Sequence, residues 1–439
     1  MIEPGLSPHL IHSASGPLLT SPPETTGRYI VVFAADTDAP SGVLRKAAGL
    51  MDVTPSQEYG AEAATATTSD TVFETLGLAV VSADPEQVGA LRTSVASDDA
   101  IMSVSPELVH HPLDNEYARG YADGVGDLTA RLGTVTGGGG PVPGATGPVA
   151  TTGPLFADTA EYTWGLQAVG ADGSTASGAG VAVAVLDTGF DLEHPDFANR
   201  TLTPMSFIPG EDPQDGHGHG THCIGTALGP LVPDTGPRYG VAHGADIFAG
   251  KVLSNSGSGS DGGILAGIEW AITSGCSIIS MSLGADVPKA HPPYVAAGKR
   301  ALDLGVLIIA AAGNNARRQQ QSHGFVGAPA NSPYILAVGA LDPQLDIAVF
   351  SSRTLIGGQG GQVDLAGPGV AVYSSWPMPT RYRAINGTSM ATPHGAGLAA
   401  LWSEVTGFRG RELWATLVEH STRLILPSLD VGSGLAIAP

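Results

Sequence analysis

The chain has 439 residues, of which 14% are charged and 61 are glycine, the composition of a compact globular protein rather than a coiled coil or a disordered tract. Twenty basic against 41 acidic residues leave a net charge of −21 with no Lys/Arg-rich run, so a phosphate backbone would be repelled over most of the surface and no nucleic-acid partner is expected. Two cysteines, Cys223 and Cys276, make no disulfide framework, and no apolar stretch reaches the roughly 18 residues that a membrane span needs.

Residues 1–27 hold no basic residue and are broken by Pro4, Pro8, Pro17, Pro22 and Pro23, so no charged and then apolar secretory signal is recognisable. Residues 28–112 read as a small α/β unit. A strand at 29–33 is followed by a helix at 42–50, one alternating strand at 72–81, a helix at 85–95 opened by Pro85, and a closing strand at 101–104. With one further strand before Val72, this order fits a split βαβ sheet. Residues 113–160 shift to linker chemistry, with four glycines at 137–140 followed by Pro141, Pro143 and Pro148.

Beyond the linker come short, almost purely apolar runs at 181–186, 247–252, 278–283, 306–312 and 335–338, with helix-like segments between them at 264–272 and 294–304. Strands covered on both faces by helices have this pattern, which predicts a parallel α/β domain. In such a sheet the ligand crevice lies at the carboxyl ends of the strands, so the polar residues just after each run matter most.

Asp187 follows the first run in Ala-Val-Leu-Asp-Thr-Gly, His219 opens His-Gly-Thr-His-Cys, and Ser389 lies in Asn-Gly-Thr-Ser-Met-Ala-Thr-Pro-His. A serine hydroxyl needs an imidazole to take its proton and a carboxylate to orient that imidazole, and all three types are present. The small, apolar run after Ser389 tolerates Pro393 only in a first helical turn, which predicts Ser389 at a helix N-terminus. There the helix dipole favours an oxyanion, with the Ser389 N–H as one donor.

These three segments, in the order Asp, His, Ser, resemble the subtilisin family over roughly residues 161–437, and the His-Gly-Thr-His-Cys and Gly-Thr-Ser-Met-Ala-Thr-Pro-His motifs are similar to those of its proteinase K branch. The resemblance implies a Rossmann-like parallel sheet with helices on both faces at 161–439, preceded by a small ferredoxin-like α+β inhibitory pro-domain at 28–112, with 1–27 as an N-terminal extension. It implies a serine endopeptidase acting on proteins or peptides through an acyl-enzyme, broad with an apolar preference and made as an autoprocessed zymogen. Ser389 would be nucleophile, His219 base then acid, Asp187 its orienting carboxylate and Asn314, in Ala-Ala-Ala-Gly-Asn, the oxyanion donor. Ser282, Leu283 and Gly284 would pair with the substrate backbone as an added strand, and Ala312 and Gly313 would line the next wall. No cofactor is required for this chemistry. Asp196, in His-Pro-Asp, matches a calcium-ligand position, but residues 228–237 lack the family's Asn-rich calcium loop and one carboxylate cannot fill six to eight ligand positions. No metal is therefore assigned, and a structural calcium stays an open alternative.

Other readings compete for some of these residues. His217, His219 and His222 have zinc-ligand spacing, yet a zinc hydrolase would leave Asp187 and the Ser389 segment without a role. Cys223 reads as a buried small hydrophobe, against the alternative of a redox-active or modifiable thiol, and would confer sensitivity to thiol-reactive metals; Asp215 reads as either a turn residue or an acid beside the second substrate pocket, and Arg317 and Arg318 as a solvated loop. A peptidase dedicated to one substrate and a catalytically silent peptide-binding module are the alternative functions. The family is commonly exported, whereas the N-terminus read here points to the cytoplasm or to non-classical export.

Overall fold

The computed structural model describes residues 22–35, 37–57, 68–97, 100–113, 154–357 and 361–439; most of the linker reading and of the N-terminal extension lies outside them. The N-terminal unit comprises β1 (Thr25–Phe33), α1 (Pro40–Ala48), β2 (Thr54–Pro55), β3 (Thr71–Phe73), β4 (Leu78–Val81), α2 (Pro85–Ser97) and β5 (Ile101–Pro112). Its strands lie in the order β5-β1-β4-β3-β2, antiparallel except where β2 meets β3, which is a split βαβ sheet.

Two expectations for this unit are corrected. Residues 72–81 form two strands, with Phe73 facing Leu78 across a turn closed by Gly77 at φ 66. Leu76 in that turn is buried, so the apolar pattern runs unbroken through a reversal that only the glycine marks. The closing strand extends to Pro112 instead of Val104, because beyond β1 it finds two further partners in the second unit.

The larger unit contains α3 (Trp164–Ala168), β6 (Ala182–Asp187), β7 (Leu202–Ser206), α4 (His219–Leu228), β8 (Asp246–Lys251), β9 (Gly259–Ser260), α5 (Asp261–Thr273), β10 (Ile278–Met281), β11 (Leu283–Gly284) and α6 (Pro292–Asp303). It continues with β12 (Leu307–Ala311), β13 (Leu336–Leu341), β14 (Leu365–Pro368), the hairpin β15 (Val372–Ser375) and β16 (Tyr382–Ile385), α7 (Thr388–Thr406), α8 (Gly410–Glu419) and α9 (Ser428–Val431). Seven strands make one parallel sheet in the order β14-β13-β12-β10-β6-β8-β7.

Side-chain alternation splits each central strand between two cores. Val183, Val185, Ile278 and Ile309 pack with Ile224 of α4 and Leu398 of α7, whereas Ala184, Leu186, Ile279 and Ile308 pack with Ile264 of α5 and Ala297 of α6. The edge strands β7 and β14 escaped the sequence reading because β7 is only half-buried and β14 ends in Gly367 and Pro368.

From β6 the chain moves to one side of the sheet through β7 and β8 and later to the other through β10, β12 and β13, so the strand order switches between β6 and β10. A crevice opens at the carboxyl ends of strands at such a point. Among the described residues no helix is long and apolar enough to cross a membrane, and both cysteines are buried and free.

Candidate active site

Asp187 ends β6 and His219 opens α4, 32 residues apart in sequence, yet Asp187 Oδ1 lies 2.7 Å from His219 Nδ1 with both side chains buried. Glycines allow this approach. A Cβ at Gly220 would fall 2.2 Å from the Gly189 carbonyl oxygen, and Gly218 at φ 108 leaves no space for one beside Trp376. Asp215 fixes the same loop from below. Its Oδ1 accepts from the Thr188 hydroxyl and the His217 and Gly218 N–H groups, and its Oδ2 accepts from the N–H and hydroxyl of Thr221. These bonds give Asp215 a structural role in the loop.

Burial alone would lower the His219 pKa, but the charge and hydrogen bond of Asp187, with a smaller contribution from Cys223, outweigh it and hold the imidazole well above its ordinary value. His219 Nε2 is buried and has no hydrogen-bond partner.

Ser389 is the second residue of α7 and fully buried, the N-terminal placement expected, although Pro393 lies sixth, inside the helix rather than in its first turn. Its Oγ donates to the Ser282 carbonyl at 2.9 Å, and the Ser282 hydroxyl donates back to the Ser389 carbonyl at 2.8 Å. Cys223 Sγ bridges the two halves, 3.8 Å from His219 Nδ1 and 3.6 Å from the Ser389 carbonyl oxygen.

Asn314 follows β12 by three residues, and its Oδ1 accepts from the Thr388 N–H at 3.0 Å and the Thr388 hydroxyl at 2.9 Å. An N–H can only donate, so Thr388 fixes which end of the amide carries oxygen and turns Nδ2 into the crevice. That Nδ2 donates to the carbonyl oxygen of Leu113 at 2.6 Å, and the Ser389 N–H donates to the same oxygen at 3.3 Å.

The segment leading to Leu113 lies in the crevice as an added strand between two edges. Leu283 pairs with Pro112 and Gly284 with His111 on one side, Ser260 with Val109 and Gly259 with His110 on the other, and the Leu113 N–H donates to the Ser282 carbonyl at 3.2 Å. Gly284 is the wall against the Leu113 side chain, since a Cβ there would meet Leu113 Cδ1 at 2.9 Å. Ala312, the residue after β12, is buried, and the Gly313 N–H donates to the Thr388 hydroxyl at 3.2 Å, which anchors the turn into Asn314.

The three histidines do not converge. His222 Nε2 reaches the Val372 carbonyl at 2.9 Å and its pKa is pushed down to about 3 by burial, while His217 meets His219 only ring to ring at 6.3 Å. Among the described residues the one cluster with metal-ligand spacing is Asp187, His219 and Cys223. Its shortest contact is the imidazole–carboxylate hydrogen bond, and burial raises the Cys223 thiol to about 11.

The surroundings of Asp196 do not fit calcium. Its two oxygens accept from the Tyr239 and Tyr382 hydroxyls and the Asp234 N–H, and the Arg381 guanidinium lies 3.9 Å away. These are hydrogen-bond donors and a cation, which take the place of a metal, whereas calcium requires oxygen acceptors. The solvated-loop reading holds for exposed Arg317 and is corrected for Arg318. Arg318 forms a largely buried ion pair with Asp430, and Arg317 donates to the Asn314 carbonyl.

Sequence reasoning missed Thr388, which stood inside the quoted serine motif, the strand β9, and Lys251, whose buried ammonium holds the Thr188 carbonyl and Glu211 beneath the Asp187 turn.

A model of the Subtilase family matches residues 178–434. The chain is 40% identical over 225 residues to subtilisin DY of Bacillus licheniformis, covering 51% of this chain and 77% of that protein. It is 42% identical over 253 residues to subtilisin Savinase of Lederbergia lenta, covering 55% and 87%, and 43% identical over 227 residues to subtilisin E of Bacillus subtilis (strain 168), covering 51% and 56%. With a family match over more than half of its length and a buried Asp–His pair at the switch point of a parallel sheet, the chain belongs to the subtilase family of serine endopeptidases.

Proposed function

We propose that Ser389, His219, Asp187 and Asn314 carry out peptide hydrolysis in this chain, and that residues 28–112 are an inhibitory pro-domain whose tail is the first substrate, cut between Leu113 and Asp114. The observation that carries this reading is the Leu113 carbonyl oxygen, which takes hydrogen bonds from both Asn314 Nδ2 and the Ser389 N–H. Two donors on one carbonyl at a helix N-terminus suit the negative charge that develops during acyl transfer.

In this mechanism Ser389 Oγ leaves the Ser282 carbonyl, turns its proton to the unpartnered Nε2 of His219 and attacks the carbonyl carbon. Asp187 holds the Nδ1–H tautomer and balances the imidazolium, which then protonates the leaving amine; water and the same imidazole release the acyl group. The contact of Leu113 with Gly284 supports the apolar preference next to the cut. The pairing of the tail through backbone atoms supports broad rather than single-substrate use, since such bonds are common to all peptides.

Expressing the wild type beside Ser389→Ala and following both by intact mass tests this reading. The wild type should yield a fragment beginning at Asp114 while the variant stays at full length. An uncut, fully active wild type would overturn the inhibitor assignment, and labelling of the enzyme by a sulfonyl fluoride anywhere but Ser389 would overturn the nucleophile.

A further inference from the structure

The start of β1 reaches the tail as well as the sheet. β1 and β5 run paired from Phe33 and Ile101 back to Tyr29 and Pro106, where the register breaks: Thr25 faces Leu108, so four steps along β1 match two along β5. Gly27 stands in that bulge at φ 90. A Cβ built on it would meet nothing within 4 Å, so the glycine serves the backbone conformation and not a need for space. Past the bulge, the Glu24 carbonyl accepts from the Val109 N–H at 3.0 Å. The Thr26 hydroxyl donates to one oxygen of Glu107, whose other oxygen accepts from the Gly262 N–H at 2.9 Å. Residues 22–26 are themselves exposed.

We infer that residues 22–26 form a strap that holds the tail in the extended form the crevice binds, so that the cut pro-domain stays on as an inhibitor instead of leaving as a product. The inference rests on the reading of residues 28–112 as an inhibitory pro-domain cut after Leu113.

N–H groups four residues apart along a strand point the same way. That of Leu113 meets the Ser282 carbonyl beside β11, and that of Val109 meets Glu24, so the strap takes over the tail edge that β11 leaves after pairing with His111 and Pro112. The opposite edge at Val109 and His110 belongs to β9. A free peptide brings no acceptor of its own for that N–H and must lose its backbone freedom on entering the crevice. The strap is anchored next door, where the Arg28 guanidinium donates to the Ser69 and Val80 carbonyls, and it fixes the tail before docking. The bond from Thr26 is the stronger part, because its acceptor is a carboxylate. Glu24 also lies 3.6 Å from His111 Nε2, but both side chains are more than half exposed and that pair adds little.

The test compares the full chain with chains lacking residues 1–21 and 1–26, each allowed to process itself and then diluted into a chromogenic peptide amide. Intact mass should show the same cut in all three. Activity should emerge about 10- to 100-fold faster from the chain lacking 1–26 than from the chain lacking 1–21, since two hydrogen bonds no longer hold the tail. Gly27→Val keeps every strap residue but disfavours the bulge, and should accelerate release in the same direction, which covers the case of a shortened chain that does not fold. A strap that merely stabilised the small unit would act independently of the tail. Val109→Pro removes the donor from the tail side, so it should accelerate release in the full chain and add nothing in the chain lacking 1–26. Equal release from all of these chains, or additive effects of the truncation and Val109→Pro, would overturn the strap and leave the inhibitor standing. A full chain that is active without delay after its cut would overturn the inhibitor reading, and the strap with it.

Discussion

The two units bury their strands in different ways. The central strands of the parallel sheet have a core on each face, and both are built from the unit's own helices. The N-terminal sheet owns only one: Val31, Phe33, Val72, Ala79 and Val81 pack with Leu44 of α1 and Leu91 of α2. Its opposite face, with Ile30, Val32, Phe73, Leu78 and Val80, belongs to the same cluster as Ile264, Ile268, Tyr294 and Ala297 of the larger unit. The smaller unit therefore covers one face of its sheet with the body whose crevice it fills. Polar contacts reinforce the seam, since Glu107 accepts from the Gly262 N–H at the start of α5. Its tail makes ground-state contacts with the crevice, whereas in the proposed mechanism Asn314 and the Ser389 N–H serve charge that develops only during reaction. The difference can be broken or sharpened experimentally.

The largest effect is expected on the side of the body. Asn314→Ala removes a donor whose partner gains charge only during reaction, so kcat should fall about 10²–10³-fold with little change in KM. Steady-state kinetics on a peptide amide decide this, and a rise in KM alone would make Asn314 a ground-state contact like those of the tail.

The next effect lies on the face that the body covers. Val80 packs 3.7 Å from the Cβ position of Gly262, and Val80→Asp would bury an unpaired carboxylate at about 3 kcal/mol, roughly a 100-fold weaker association. The inhibition constant of the cleaved N-terminal fragment added back to mature enzyme should rise by that factor. Val31→Asp, on the unit's own core, should instead unfold the fragment, visible by circular dichroism. Equal behaviour of the two variants would erase the distinction between the faces.

The pH profile belongs to the body alone. His219 must be neutral to accept a proton, and its pKa is raised in the folded enzyme, so activity should be present above that raised value and lost as the pH falls through it. The acid limb of kcat/KM should fall about tenfold per pH unit, with its midpoint above the ordinary imidazole value of about 6.5. A midpoint at or below that value would mean that burial outweighs Asp187.

The smallest effect is at Asp196. Tyr382→Phe removes one of the hydroxyl donors and should cost about 1 kcal/mol in thermal or denaturant unfolding. Added calcium should not restore the loss; full restoration would show that the carboxylate can take a metal after all.

The legibility of each feature follows from its physical origin. The doubly covered strands at 181–186, 247–252 and 306–312 were readable because burial on both faces demands continuous apolar side chains, and β6, β8 and β12 lie there. The half-buried edge β7 makes no such demand and left no pattern. The hairpin at 71–81 was hidden because Leu76 in its turn is buried like a strand residue. Asp187, His219 and Ser389 stood out because they sit among small residues that are local in sequence, whereas Asn314, an ordinary strand-end residue by its neighbours, was marked only by the family resemblance.

The amino-acid order thus determined the doubly covered strands, the helix start near Ser389 and the residue types at the crevice, all of which depend on local pattern and neighbours along the chain. It could not reveal that Leu113 lies between Asn314 and Ser389, that Asp261 faces His110, or that Tyr239 and Tyr382 enclose Asp196. Those pairings join residues from 43 to 276 positions apart, and only the tertiary packing of one unit's strand into the other's crevice, and of the hairpin onto the parallel sheet, brings their polar atoms within hydrogen-bonding reach.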